Sequence, residues 1–261
     1  MTRIASGAAL IALVVGAIWF LPPLALLILA EIVLLLAFLE YASLTDKLGM
    51  RIPRFAAATA TGATCAAVGW GGVPVEGVLM TTTVALAAVA LGSGRGGLDA
   101  LHAVAASTFA QLYLGLSLGA LVAIRVMHGR QVVLLLVATI AVSDIAQYYS
   151  GRFFGRRPLA PRISPKKTVE GAIGGFVAGG IVLAWLGGSW LAHVALPWRI
   201  VLGAALVALG IAGDLFESLL KRAAGEKDSS HLIPGHGGVL DRIDALLFAA
   251  PDYYVIVRYA A

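Results

Sequence analysis

Residues 24–39 have the sequence LALLILAEIVLLLAFL, in which Glu31 is the only charged residue. A helix that crosses a membrane needs roughly 20 largely apolar residues, because its backbone polar groups must be satisfied within the segment. Stretches of the same character lie near residues 4–21, 55–71, 75–92, 106–127, 131–149, 172–196, 199–220 and 245–260. The sequence therefore predicts an all-α, polytopic membrane protein with about nine transmembrane helices.

The overall composition leads to the same class. Of the 261 residues, 60% are apolar and 13% are charged, whereas a soluble domain carries roughly 25% charged residues. This number of charged residues is too small for a fully water-exposed surface. Lipid must therefore contact much of the chain. A single cysteine, Cys65, excludes an internal disulfide and a metal cluster built on thiolates.

The basic residues predict an orientation. If the N-terminus is cytoplasmic and the spans alternate, four of the 19 Lys and Arg residues lie outside, namely Arg125, Arg130, Arg199 and Arg258. Cytoplasmic loops carry an excess of Lys and Arg, so we expect a cytoplasmic N-terminus and an outer C-terminus. Attraction to anionic lipids explains the net charge of +5 without nucleic acid. The compact chain suits a bacterial inner membrane.

The two halves of the chain differ in polarity. Residues 1–130 have short connections and few polar side chains, which predicts a scaffold of hydrophobic helices. Residues 131–261 contain two long polar loops, at about 150–170 and 221–244, and both are cytoplasmic in the charge assignment. We therefore expect one integral membrane domain whose second half is the catalytic region.

A polar stripe crosses one predicted span. Asp214, Glu217, Ser218 and Lys221 are spaced i, i+3, i+4 and i+7, so they share one helical face. Placing a carboxylate in hydrocarbon costs at least about 2.5–3.5 kcal/mol, so the stripe should face a wet cavity, a metal or a partner charge. The alternative is a network of Asp–Lys and Glu–Lys pairs near the membrane surface.

The second polar loop combines residue types that bind polyphosphates. In order, it contains Lys221, Arg222, Lys227, Asp228, Ser229, Ser230, His236, Gly237, Gly238, Asp241, Arg242 and Asp244. Glycines let backbone N–H groups approach anionic oxygens, and the basic side chains neutralise charge. Two aspartates can hold a divalent ion, and oxygen ligands without thiols favour Mg²⁺ over zinc. A solvated connector is the alternative.

The first polar loop also suggests a phosphate site. Ser164 before Pro165 is typical of a helix start, with Ser164 as the N-cap. Lys166 and Lys167 would then occupy the first turn, where the helix dipole disfavours cations unless an anion binds there. Attraction to the membrane surface is the alternative. Asp144 closes the preceding span.

The run from Ser218 to Asp244 resembles the signature of the phosphatidate cytidylyltransferase (CDP-diacylglycerol synthase) family. The matching positions are Ser218, Lys221-Arg222, Lys227-Asp228, Pro234, His236-Gly237-Gly238, Asp241-Arg242 and Asp244. Upstream, Asp144, Tyr148, Gly151-Arg152 and the segment 164–171 are similar to the family as well. The resemblance covers about residues 140–250, with departures at Gln147 and Ser230.

The resemblance implies a helical bundle with a polar cavity open to the cytoplasm, dependence on Mg²⁺, and CTP and phosphatidic acid as substrates. The implied metal ligands are Asp214 and Asp241, and the loop pattern adds Asp244. Further catalytic roles fall to Lys221, Lys227 and His236. Substrate-binding roles fall to Asp144, Ser164, Lys166, Lys167, Ser218, Arg222, Asp228, Gly237, Gly238 and Arg242. A homodimer is left open.

Other functions stay open at this point. One is a CTP-dependent lipid kinase or a cytidylyltransferase for another lipid phosphate. Another is a secondary transporter that uses Asp144, Asp214 and Glu217 as coupling sites, although the sequence shows no internal repeat in its support. A CDP-alcohol phosphotransferase is disfavoured because its spaced aspartate motif is absent.

Overall fold

A computed structural model describes residues 2–94, 96–230, 232 and 237–259, with side chains from residue 11 onward. The α-helices are α1 (Thr2–Phe20), α2 (Pro23–Lys47), α3 (Arg54–Trp70), α4 (Val75–Gly92), α5 (Leu98–Ala110), α6 (Ser117–His128), α7 (Arg130–Phe154), α8 (Val169–Trp190), α9 (Leu196–Ala223) and α10 (Leu240–Tyr259). A π-helical segment, Gln111–Leu116, joins α5 to α6. The two strands are β1 (Pro158–Ala160) and β2 (Ser164–Thr168).

The helices confirm the predicted class. Every predicted span overlaps a helix, and within the described residues six helices are long and apolar enough to cross a membrane. These six are α2, α4, the continuous helix Leu98–His128, α7, α8 and α9. The described apolar part of α1, Ile11–Phe20, is shorter. The chain is therefore an all-α, polytopic membrane protein.

The predicted helix start at Ser164 is wrong. Ser164 begins β2, which pairs with β1 in an antiparallel hairpin, so Pro165 and both following lysines are in extended chain. The helix begins four residues later, where the Thr168 side chain accepts a hydrogen bond from the Gly171 N–H at 3.1 Å. Pairing with the neighbouring strand β1 has overridden the Ser-Pro signal, and threonine supplies the N-cap.

The chain forms two compact units, one of residues 1–127 with 220–243 and the other of residues 128–219 with 244–261. In the first unit, glycines let helices approach closely. A Cβ added to Gly115 would lie 2.7 Å from the Thr61 carbonyl oxygen, and one on Gly119 would lie 2.7 Å from that of Cys65. Small residues of this kind allow helices to pack in lipid, where the hydrophobic effect does not drive their association.

Glycines also set the spacing of helices in the second unit. A Cβ added to Gly174 of α8 would lie 2.1 Å from the Ser150 hydroxyl oxygen of α7. One added to Gly213 of α9 would lie 2.5 Å from the Asp244 carbonyl oxygen of α10. These two close contacts hold α7 against α8 and α9 against α10, and thereby fix the helices that carry the acidic side chains of this unit.

Candidate active site

Three carboxylates of the second unit are gathered around one ammonium group. The Lys167 Nζ atom lies 2.6 Å from Asp214 Oδ2. Asp144 and Asp244 both interact electrostatically with Asp214 and with Lys167. The four side chains come from α7, α9, α10 and β2, so tertiary packing brings together residues that are up to 100 positions apart.

This acidic cluster (Asp144, Asp214, Asp244 and Lys167) is polar and accessible. The Lys167 and Asp214 side chains are 21% and 35% exposed, so neither is fully enclosed by protein. The Gln147 amide donates to Asp144 Oδ1 at 3.1 Å, which orients that carboxylate. Gln147 is a position where the sequence departs from the family pattern, and its side chain here supports a residue of the site.

The donors of the acidic cluster suit Mg²⁺. Carboxylate oxygens are the hard ligands that Mg²⁺ prefers, and three carboxylates against one ammonium leave excess negative charge when ionised. Among the described residues, no three His, Cys, Asp or Glu side chains form a ready metal-binding group. Mg²⁺ commonly takes one or two carboxylates and completes its shell with water and substrate phosphates, so the cluster fits an ion that binds together with a nucleotide.

Asp241 belongs to the first unit and is enclosed by protein donors. Its Oδ1 pairs with the Lys221 ammonium, and both side chains are nearly buried, at 7% and 11% exposure. Its Oδ2 accepts hydrogen bonds from the Ser229 N–H and hydroxyl at 3.0 and 2.8 Å and from the Gly238 N–H at 2.7 Å. The Asp241 carboxylate therefore organises the second polar loop.

The side chain that the sequence analysis missed is Glu40, near the end of α2. Its carboxylate is 6% exposed and accepts hydrogen bonds from Ser229, Ser230, Val239 and Leu240. An acid at the edge of a hydrophobic helix is a usable signal, because such residues are costly in membranes and tend to be functional. The sequence gives no indication of its partner, which lies about 190 residues away.

The remaining predicted site residues lie in several settings. The side chains of Lys166, Arg222, Lys227, Asp228 and Arg242 are exposed, and Ser164 is half-buried in β2. Ser218 donates to Asp214 Oδ1 at 3.5 Å. Gly237 has a φ of +79°, in the left-handed region that favours glycine. His236 and Pro234 lie outside the described residues, so the role predicted for His236 stays a prediction.

Comparison with known families identifies the family of the chain. The chain matches the cytidylyltransferase family over residues 1–260. It belongs to that family. The resemblance predicted from the run Ser218–Asp244 is thereby confirmed, and the match extends over the hydrophobic first half as well.

Individual relatives of this chain carry a more specific name. A phosphatidate cytidylyltransferase of Haemophilus influenzae is 45% identical over 131 residues, which is 48% of this chain and 45% of that protein. One from Aquifex aeolicus is 40% identical over 155 residues, 58% of this chain and 56% of the relative. One from Pseudomonas aeruginosa is 46% identical over 116 residues, 44% and 43% of the two chains. The chain thus spans about half the length of these curated relatives.

Proposed function

We propose that this protein transfers the cytidylyl group of CTP to phosphatidic acid, forming CDP-diacylglycerol and pyrophosphate. The observation that carries the proposal is the acidic cluster around Lys167, in a membrane chain that belongs to the cytidylyltransferase family. The names of the relatives point to the same lipid substrate. A reaction between a charged nucleotide and a lipid phosphate requires such a polar site within a hydrophobic protein.

The reaction needs positioning and charge neutralisation more than covalent help from the protein. A phosphate oxygen of phosphatidic acid attacks the α-phosphorus of CTP, and the bond from that phosphorus to the bridging oxygen of pyrophosphate breaks. Lys166 and Lys167 would hold a substrate phosphate beside the acidic cluster. Lys221, Arg222, Lys227 and Arg242 would hold phosphates at the second polar loop, whose glycines expose backbone N–H groups.

We propose Mg²⁺ as the cofactor, with Asp214 and a carboxylate from Asp144 or Asp244 as its protein ligands. When bound, the ion would neutralise charge on the triphosphate and on the departing pyrophosphate. Asp241 stays a predicted ligand on the basis of the family pattern. Its carboxylate contacts Lys221, Ser229 and Gly238 within its own unit, so its contribution to loop structure has to be separated from any role in metal binding.

Purified protein in detergent, given phosphatidic acid, Mg²⁺ and CTP labelled at either the α- or the γ-phosphate, tests the proposal directly. Label from the α-phosphate of CTP should enter the lipid, and pyrophosphate should appear in an equal amount. EDTA should stop the labelling of the lipid and the release of pyrophosphate. Transfer of the γ-label instead would identify a lipid kinase. Activity without a membrane gradient would speak against a transporter, and no labelled lipid at all would refute the proposal.

Replacement of Lys167 by alanine should raise the KM for one of the two phosphate substrates about 10-fold, since hydrogen bonds to charged groups are worth about 1.5–3 kcal/mol. Steady-state kinetics with CTP and phosphatidic acid varied in turn would show which phosphate it holds. Arg162→Ala removes a positive charge from an exposed position of the same hairpin and should leave both KM values within about twofold. Wild-type KM values in Lys167→Ala would contradict the binding role.

We also propose that the protein lies in a bacterial inner membrane with its N-terminus and both polar loops in the cytoplasm. The distribution of Lys and Arg supports this orientation, and the bacterial origin of the relatives supports the compartment. A cytoplasmic site also gives direct access to CTP.

A further inference from the structure

Glu40 lies outside the family signature, yet its carboxylate contacts both ends of the second polar loop. Here the polar loop means residues 224–230, 232 and 237–239, which are the described residues of the second polar loop that lie between α9 and α10. Glu40 Oε1 accepts from the Ser230 hydroxyl at 2.6 Å and from the Val239 N–H at 2.9 Å. Its Oε2 accepts from the Ser229 hydroxyl at 2.9 Å and from the Leu240 N–H at 2.8 Å. One carboxylate thus joins the two ends of the loop on either side of residues 231–238.

These contacts require a carboxylate of this length. Two donors lie within hydrogen-bond distance of each oxygen, and an ionised carboxylate is the side chain that offers about four acceptor positions and no competing donor. The Ser230 hydroxyl and the two backbone N–H groups lie at the short distances of charge-assisted hydrogen bonds, and the Ser229 hydroxyl at 2.9 Å is at an ordinary distance. An amide in the same place would direct its NH₂ group at two other donors, so glutamine would lose half of the contacts.

Gly238 makes room for this arrangement. A Cβ at Gly238 would lie 2.1 Å from Ser229 Oγ and 2.4 Å from Glu40 Oε2. The glycine pair therefore does more than expose N–H groups to phosphate, because Gly238 also lets the loop backbone lie against Glu40. The glycine at position 238 of the family signature is thus explained by its close contact with Glu40, a residue outside the signature.

The contacts also continue to predicted catalytic residues. Ser229 Oγ lies 2.9 Å from Glu40 Oε2 and 2.8 Å from Asp241 Oδ2. A hydroxyl has one proton and donates to one carboxylate at a time, so Ser229 links the two acids without satisfying both. Asp241 in turn pairs with Lys221. A shift of Glu40 would therefore be transmitted to the Asp241–Lys221 pair as well as to Gly238.

We propose that Glu40 is a positioning residue for nucleotide binding, and that it sets the polar loop in the conformation that receives the triphosphate of CTP. This inference rests on the proposed function. Glu40 touches no reacting atom in this scheme and acts through the loop. The hydrophobic first half of the chain thus contributes a residue that contacts the polar loop.

Kinetics of Glu40→Gln, Glu40→Ala and Glu40→Asp test the proposal. Glutamine and alanine should raise the KM for CTP about 10-fold or more, with the KM for phosphatidic acid within about twofold, because the loop and not the lipid site is displaced. Aspartate keeps the charge with a shorter reach and should give an intermediate KM for CTP. A merely structural role would instead reduce the amount of active protein and leave both KM values unchanged.

Two variants of the same helix serve as controls. Glu31→Gln makes the same substitution nine positions earlier, beside Gly62 and away from the loop. Lys47→Met breaks the Lys47–Glu226 pair at the loop entrance, where the side chains are 46% and 41% exposed. Such exposed pairs contribute little, so both variants should keep the KM for CTP within about twofold of wild type.

Limited trypsin digestion in membranes gives a readout that does not depend on activity. Arg222 and Lys227 are exposed cleavage sites on and beside the loop, and cleavage there should be about fivefold faster in Glu40→Gln than in wild type. Wild-type cleavage and a wild-type KM for CTP in that variant would overturn the proposal. If wild type transfers no CMP, the proposed function fails, and the digestion still decides whether Glu40 holds the loop.

Should the Glu40 variants fail to accumulate in the membrane, Ser230→Ala replaces them. It removes one of the four hydrogen bonds to Glu40, together with the acceptor of the Leu232 N–H, and leaves the sequence of α2 unchanged. We expect the KM for CTP to rise about threefold and loop cleavage to accelerate. A wild-type KM for CTP together with a wild-type rate of loop cleavage in Ser230→Ala would then count against the proposal.

Discussion

Asp214→Asn should lower the kcat/KM for CMP transfer at least about 100-fold while the protein still inserts and folds, since removing a preorganised charge from an active site typically has effects of this size. Asparagine has nearly the same shape, and its amide oxygen can still accept from Ser218. The side chain is 35% exposed, so the neutral amide is not forced into a dry environment. The loss should therefore appear in turnover and in the Mg²⁺ dependence, with thermal stability unchanged.

The measurement is CMP transfer over a Mg²⁺ titration, with membrane insertion and melting followed in the same preparations. Asp252→Asn is the matched control, because it makes the same change at an exposed position of α10. Its kcat/KM should stay within about twofold of wild type. Turnover of Asp214→Asn close to that of Asp252→Asn would remove Asp214 from the proposed metal ligands.

Asp241→Asn should abolish activity as well, and it should also destabilise the protein. An amide can offer an oxygen to Lys221 or to the donors of Ser229 and Gly238, and either choice leaves nearly buried donors without an acceptor. Removing one partner of a buried ion pair costs about 3–5 kcal/mol. We therefore expect a clear fall in the melting temperature and faster cleavage in the polar loop, in contrast to Asp214→Asn.

The matched comparison for Asp241 is Asp46→Asn. Asp46 pairs with Arg54 at 2.6 Å, but these side chains are 33% and 57% exposed, so loss of the pair should cost at most about 1 kcal/mol. A double-mutant cycle between Asp241→Asn and Lys221→Met would measure the coupling of the buried pair. An Asp241→Asn protein that is inactive yet as stable as wild type would favour a metal-binding role over a structural one.

Prediction of the helices from the sequence succeeded because the signal is local. A segment such as residues 24–39 must form a helix in lipid whatever its neighbours do, since its backbone finds no other partners there. The same reasoning underestimates α2, which continues to Lys47. The extra turns carry Glu40, Tyr41 and Thr45, which are buried by protein and not by lipid. Hydropathy detects the part of a helix that suits a membrane and misses the polar part that packs within the protein.

Prediction of a helix start at Ser164 failed because the conformation of this segment depends on its pairing with another segment, even though that segment is a close neighbour in the chain. The segment Ser164-Pro165 has the features of a helix start, and no residue within it indicates that Pro158–Ala160 will pair with it. Glu40 escaped notice for a related reason. A single acid at the end of an apolar helix has no recognisable motif, and its four partners lie about 190–200 residues further along the chain.

The sequence by itself determined the membrane class, the positions of the helices and the family, because apolar segment length and the Ser218–Asp244 pattern are properties of neighbouring residues. The tertiary structure alone decided that residues 220–243 join the first unit, that Glu40 contacts the polar loop, and that Asp214 pairs with Lys167 within interaction range of Asp144 and Asp244. Those contacts depend on how closely glycine-bearing helices approach and which distant donors a buried carboxylate meets. Neither quantity is encoded in any short stretch of the chain.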